Sequence, residues 1–544
     1  MKKISLLLVL SWIMCLATYS QLTVQTVAER SNYESTSTYK DVMQFISGLE
    51  KESPLVHIEH IATTAEGREV PLLVIGDPLP ASPKDLENDD RIVVYIQANI
   101  HAGEVEGKEA ALMYARDFLK ENDRNILDQM VLLICPILNA DGNEKISSMN
   151  RRNQNGPGNG VGVRHNGMLL DLNRDAMKVE SPEIEGVITN VFNRWDPYIF
   201  MDCHTTNGSY HEEPVTFMWM LNPNGDRTLI NYMRDKMMPA VGTRLRDEFN
   251  VKNCYYGNFR DPMDFEKGWY PYASEPRYIT NYFGLRNRLA ILNENYVYAD
   301  FKSRVEGCYF LIQSVVEYAS QNNREIRDII RMVDLKTINR GMAPAPADSF
   351  AITYQPEPTP EKVTINAYEV EIPETGTETG RRRMVKTDRM KTVTIPYYAD
   401  YYPTTSVKFP FAYLLEYPDL YVLKLFEKHG ITVERLAESQ TLDVEEFQIE
   451  ELIPANRLFQ GHYPNSVKGK FVKIEKEFPT GTPVIRTSQP LGNLIAYLLE
   501  PQSDDGLLYW NFFDRYLSPQ WGRAFNPYPV YKILEPVTLE TRED

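Results

Sequence analysis

Cysteine is scarce in this sequence, with five among 544 residues. No two of them stand in a CxxC spacing, so a structural zinc knuckle is not supported. Basic residues are also short. Lys and Arg number 58 against 75 Asp and Glu, a formal charge of −17. Nucleic-acid binding needs a basic patch or excess, so no nucleic-acid partner is expected. Beyond the N-terminus no apolar run is long enough to cross a bilayer, and no stable membrane span is expected. No internal period is present that would indicate a repeat architecture.

What is there suits a globular chain. The hydrophobic share of 43% is ordinary and can fill sizeable cores. The length is too great for one ordinary domain and predicts two or three. Lys2 and Lys3 precede an apolar run from Ile4 to Ala17, and Ala17-Thr18-Tyr19-Ser20 ends in a small residue. That pattern reads as a signal peptide over 1–20, cleaved after Ser20, and predicts export to the periplasm or outside the cell. The run is short for a bilayer anchor. Cys15 would leave with the signal, and Met14 before it is not a small residue, against a lipoprotein anchor. Cys135, Cys203, Cys254 and Cys308 remain and, in an exported protein, are available for disulfides.

The first half alternates strand and helix signals. Short apolar runs at Val70 to Ile75, Ile92 to Ile100, Met130 to Leu138, Tyr198 to Cys203 and Arg288 to Asn293 read as buried strands. Helical spacing marks Gly107 to Phe118, Pro182 to Asn193 and Phe301 to Gln321. This alternation predicts an α/β fold, a mixed central sheet flanked by helices, over 21–325. Prolines then cluster from Pro344 to Pro360, and Thr375 to Arg383 reads as a loop or hairpin tip. Lys391 to Ile395 looks β-like. Phe411 to Leu415, a helix through Lys428, and Ile431 to Val433 read as a strand-helix-strand unit. Residues 326–544 are therefore expected to form an accessory α+β region of one or two parts.

The most informative segment is Asn99-Ile100-His101-Ala102-Gly103-Glu104, placed where a buried strand gives way to a helix. Active sites of open α/β sheets gather at such carboxyl ends. HxxE is a weak motif alone, because the spacing arises often by chance. His204 strengthens it, since it too follows an apolar strand. Two strand ends then supply two histidines and a glutamate, a ligand set that leaves a fourth zinc position open for catalysis.

These residues belong to an ordered series. His101-Ala102-Gly103-Glu104, Asn139-Ala140-Asp141-Gly142, Asp171-Leu172-Asn173-Arg174, Asp202-Cys203-His204 and Leu292-Asn293-Glu294 together resemble the zinc carboxypeptidase family, the carboxypeptidase A-like metallopeptidases. The likeness runs from about Glu66-Gly67-Arg68 to about Tyr298. It implies one Zn²⁺ per chain held by His101, Glu104 and His204, with Glu294 as catalytic base. It also implies that Arg151 steadies the oxyanion, with Arg152 adjacent. Asn173 and Arg174 would clamp the substrate's free carboxylate, and Asp171 would hold a ligand histidine, His101. Gly103 departs from the arginine of the animal digestive enzymes. The family's mobile tyrosine matches Tyr270, Tyr272, Tyr278 or Tyr282. Thr487 to Pro501, followed by Trp510 to Asp514, resembles segments attached to some bacterial members. These aromatics read as core.

The implied activity is hydrolysis of C-terminal peptide bonds by an exported zinc-dependent carboxypeptidase, acting on peptides or murein peptides. A rival keeps the metal and changes the substrate, giving a zinc amidase or endopeptidase of cell-wall peptides. A third reading is a non-catalytic binding protein on the same fold. It would require a lost ligand or a lost Glu294, and neither is lost.

Overall fold

A computed structural model of the chain describes residues 24–271, 273–372, 384–519, 521–522 and 524–543. The expected signal peptide, the tip at Thr375 to Arg383 and Tyr272 lie outside the described residues.

Ten strands build the first half: β1 (Val56–Thr63), β2 (Glu69–Ile75), β3 (Ile92–Ala98), β4 (Met130–Cys135), β5 (Ile199–Thr206), β6 (Val215–Trp219), β7 (Asn253–Tyr255), β8 (Asn258–Phe259), β9 (Trp269–Tyr270) and β10 (Leu289–Tyr296). Eight form one sheet in the order β1-β2-β4-β3-β5-β10-β6-β7, and β8 pairs with β9 apart from it. The sheet is mixed. β4, β3, β5 and β10 run parallel to one another, while β2 joins β4, β1 joins β2 and β6 joins β10 antiparallel. β3 and β4 are buried at every residue, which explains their unbroken apolar runs.

Helices cover both faces. Helix Glu106–Glu121 approaches β5 so closely that a side chain on Gly107 would meet Cys203 Cβ at 2.5 Å. Phe192 and Phe283 pack on Phe200, with ring centroids at 5.4 and 5.3 Å. Cys203 and Phe200 are an odd number of residues apart, so they mark opposite faces of β5. The segment Pro182–Phe192 starts as an α-helix and widens into a π-helical turn from Val187.

The second half adds antiparallel sheets. A seven-stranded sheet contains a long hairpin of Gln440–Pro454 and Asn465–Phe478, and two further hairpin-like pairs join Ser349–Glu357 to Asp400–Lys408 and Val363–Glu371 to Val385–Ile395. Helix Leu420–His429 lies where expected, but the strand after it is Glu434–Leu436 rather than Ile431 to Val433. Gly430 explains the shift: it caps the helix in the left-handed region at φ 80°, and the chain must unwind before it can pair. The helix Asn323–Met342 runs across the 325/326 position. One apolar core joins Ile330 and Val333 of that helix to Phe350, Leu494 and Tyr497 of the second half. All four described cysteines are buried free thiols, so the disulfides that export allowed are not formed.

Candidate active site

β3, β5 and β10 are parallel neighbours, so their carboxyl ends open on one side of the sheet. His101 and Glu104 lie in the turn between β3 and helix Glu106–Glu121. Asn99 starts that turn in the left-handed region at φ 64°. His204 lies near the end of β5, and Glu294 stands beside it in register on β10. Each position follows from strand direction alone, and together they face a cavity of about 580 Å³.

Three donor groups converge there. His101 Nδ1 is 3.0 Å from Glu104 Oε1, His204 Nδ1 is 3.0 Å from Glu104 Oε2, and the two Nδ1 atoms are 3.2 Å apart. All three residues are at most 3% exposed. The outer ring nitrogens are both engaged. His101 Nε2 lies 2.9 Å from Asp171 Oδ1, and His204 Nε2 lies 2.7 Å from Asp202 Oδ2. With Nε2 held by a carboxylate, each ring turns its Nδ1 toward the shared carboxylate of Glu104. Such a meeting of acceptors is repulsive unless a cation lies among them. The spacings are close to the ~3.3 Å edges of a tetrahedron with ~2.0 Å metal bonds. The donor set therefore fits zinc by geometry and by chemistry.

Electrostatics point the same way. Burial opposes ionisation of Glu104, but the His101 ring and the Arg151 guanidinium outweigh it and hold the carboxyl well below its usual range. Burial likewise opposes charge on His204, yet Asp202 and Glu104 raise its affinity for a proton. Asp171 is buried but kept ionised by His101, Arg164 and Arg174. Glu294 is the opposite case. Burial, aided by Glu104, pushes its carboxyl up to about 8 against the pull of His204, Arg164 and Arg151.

Of the residues singled out in the sequence, His101, Glu104, Arg151, Arg152, Asn173, Arg174, His204 and Glu294 all line the cavity, while Asp171 sits behind His101. Arg151 Nη2 donates to Glu104 Oε1 at 2.5 Å. Asn173 accepts from the Ile279 amide at 2.9 Å, with its amide group 3.4 Å from His204 Nε2. The Arg174 guanidinium lies 4.1 Å above the Tyr278 ring. Of the candidate tyrosines, Tyr278 lines the cavity. Tyr282 is buried against His429, and Tyr270 stacks on Tyr398.

Gly103 has a steric reason. A Cβ there would fall 2.6 Å from Arg151 Nε and 2.9 Å from the Gly162 carbonyl oxygen. No side chain fits between the ligands while Arg151 keeps its place. Sequence reasoning missed three contributors. Asp202 orients His204, Arg164 donates to Asp171 at 2.8 Å, and the Thr205 amide donates to Glu104 Oε2 at 3.1 Å. Only Asp202 carried a signal, its position two residues before His204 on the same strand face.

Residues 42–195 match the model of the zinc carboxypeptidase family. That stretch of the chain is zinc carboxypeptidase-like, and the His101, Glu104 and His204 donor set it helps to build suits a zinc metallopeptidase. The match holds His101, Glu104 and the Asp171 to Arg174 segment, whereas His204 and Glu294 lie beyond it and join the site through the sheet. Among solved structures, the chain is similar to a metallo-carboxypeptidase from Pseudomonas aeruginosa in complex with (2-guanidinoethylmercapto)succinic acid, at 17% identity and TM-score 0.39, covering 54% of this chain and 70% of that one. It is also similar to a metallo-carboxypeptidase from Burkholderia cenocepacia, at 17% identity and TM-score 0.38, over 52% and 70%. A third is the carboxypeptidase A from Helicoverpa armigera, at 17% identity and TM-score 0.39, over 53% and 75%. No curated protein matches the chain.

Proposed function

We propose that this protein removes residues from the free C-terminus of peptides, using one zinc ion held by His101, Glu104 and His204. The observation that carries the reading is the convergence of these donors beside Glu294, in one cavity with Arg151, Asn173 and Arg174. Zinc supplies Lewis acidity, polarising the carbonyl and the water beside it. Glu294 takes the proton from the attacking water and passes it to the departing amine. Its burial favours holding that proton between the two transfers. Arg151, within reach of the ligand carboxylate, supplies fixed positive charge for the oxyanion. Arg174 and Asn173 receive the substrate's terminal carboxylate through charge-assisted bonds. Asp171 and Asp202 fix the ring tautomers.

The division into a catalytic unit over 21–325 and an accessory region over 326–544 is part of this proposal. So is export, which rests on the Lys2, Lys3 and Ile4 to Ala17 pattern. Among the described residues no helix is long and apolar enough to cross a membrane. No feature of the cavity selects murein peptides over other peptides. Metal analysis tests the site: zinc should be present in the native protein and should fall sharply at this site in His101→Ala and His204→Ala. Unchanged zinc binding by both variants would rule the site out.

A further inference from the structure

Behind the rim of the catalytic cavity lies a second convergence of donor atoms. The chain leaves β5 at Thr206, turns through Asn207 and Gly208 on the cavity wall, and passes His211 and Glu213 before β6 begins. Cys254, on the neighbouring strand β7, pairs with Thr216. One ligand atom from each of His211, Glu213 and Cys254 lies within 4.8 Å of the others. The residues are 4%, 4% and 6% exposed. His211 Nδ1 and Glu213 Oε2 face each other at 3.4 Å, and neither has a hydrogen-bond partner. Buried polar atoms are rarely left unpaired, and an orphan asks for an ion or a ligand.

We propose that His211, Glu213 and Cys254 form a second, structural metal site for a zinc-class divalent cation, separate from the catalytic set. A neutral imidazole, a carboxylate and a thiolate together carry two negative charges and balance a divalent ion in a buried place. A thiolate beside an imidazole selects borderline-soft ions such as zinc over magnesium or calcium. Binding deprotonates the Cys254 thiol and releases that proton to solvent. Glu213 and Cys254 also line a cleft with Phe217 and Asn366, which would give an ion a route in from solvent.

The site joins three segments. His211 pairs with Ala367, and Glu213 Oε1 accepts from the Asn366 amide at 2.9 Å, so the strand Val363–Glu371 of the second half docks here. The His211 ring also stacks on Tyr296 at 3.8 Å, two residues along β10 from Glu294. An ion would therefore tie the cavity rim, the sheet edge at β7 and the accessory region together. Without an ion, the remaining arrangement is His211 facing Glu213 directly.

Cobalt(II) separates these alternatives, because the catalytic donors include no thiolate. The full-length protein, stripped by chelator, is titrated with cobalt(II). A near-ultraviolet thiolate-to-cobalt charge-transfer band should rise and level off at the intensity of one cobalt-bound thiolate per chain. His204→Ala should keep the band and Cys254→Ser should lose it. Glu213→Gln, which retains the acceptor for Asn366, should weaken cobalt binding by more than the roughly 10–100-fold that loss of an outer partner costs. That variant decides the matter if Cys254→Ser does not fold. No thiolate band in the native chain at saturating cobalt would overturn the proposal, as would a band that survives in folded Cys254→Ser. The band does not depend on the catalytic donors, so the two metal readings fail separately.

Discussion

Asp171 and Asp202 each hold one of the two converging histidines from behind, and this turns both Nδ1 atoms toward Glu104. Glu294 stands outside that circle of contacts, in the cavity but not in the donor set. Glu294→Gln should therefore keep zinc and fold while turnover falls by roughly a hundredfold or more. Turnover near native in a zinc-loaded variant would give the base role to another group. Gly103 makes a second test at this scale. Gly103→Ala places a methyl group against Arg151 and the Gly162 carbonyl. It should lose about 1–3 kcal/mol of stability, as overpacking does, and activity should fall with it because Arg151 must move. Thermal unfolding and kcat/KM check this, and a neutral outcome in both would show that the cradle is slack. The residues that gather in the cavity were legible because each lies in a short contiguous motif. Arg164 and the Thr205 amide were not, because their roles depend on how distant turns approach.

The elements were legible wherever burial was complete. β2, β3 and β4 read as apolar runs because both faces of the sheet are covered there. β1 did not, since His57, Glu59 and His60 alternate with the core residues Val56 and Ile61 at the sheet edge. The long hairpin over 440–478 was missed for the same reason. Exposed charges such as Glu451 and Lys468, paired across its strands, mask the alternation. The helix Leu420–His429 was visible, but its last residue has a role no pattern shows. His429 is wholly buried and receives the Tyr282 hydroxyl on Nδ1, at 2.7 Å, while Nε2 donates to the Met177 carbonyl at 3.2 Å. Burial pushes its pKa down to about 3. Between that value and the ordinary 6.5 the unfolded chain binds more protons, so this group lowers stability as pH falls through the window. The loss from pH 7 to pH 5 should be about 2 kcal/mol. In His429→Gln, which can keep both hydrogen bonds, that part of the pH dependence should vanish. Urea unfolding of both proteins at the two pH values measures the difference. Equal pH dependence would show that His429 is not held neutral.

At the scale of the whole molecule the two halves share one core and meet at the catalytic centre. Gln460, in the loop of the long hairpin, accepts a hydrogen bond from the Asp171 amide at 2.9 Å, and His462 contacts Glu180 at 2.8 Å. Sequence could not show this, because the partners are nearly three hundred positions apart and neither lies in an apolar run. The second half of the chain thus supports the carboxylate that holds His101. If the chain cuts only beside a free C-terminal carboxylate, blocking that group must all but stop the reaction. The direct measurement incubates the zinc-loaded protein and Arg174→Ala with one peptide in two forms, free acid and C-terminal amide, and reads the products by mass. The expected result is removal of the terminal residue from the acid, a much slower reaction of the amide, and a small difference between the two forms in Arg174→Ala. Equal cleavage of the amide by the native protein, or cleavage inside the peptide, would contradict it.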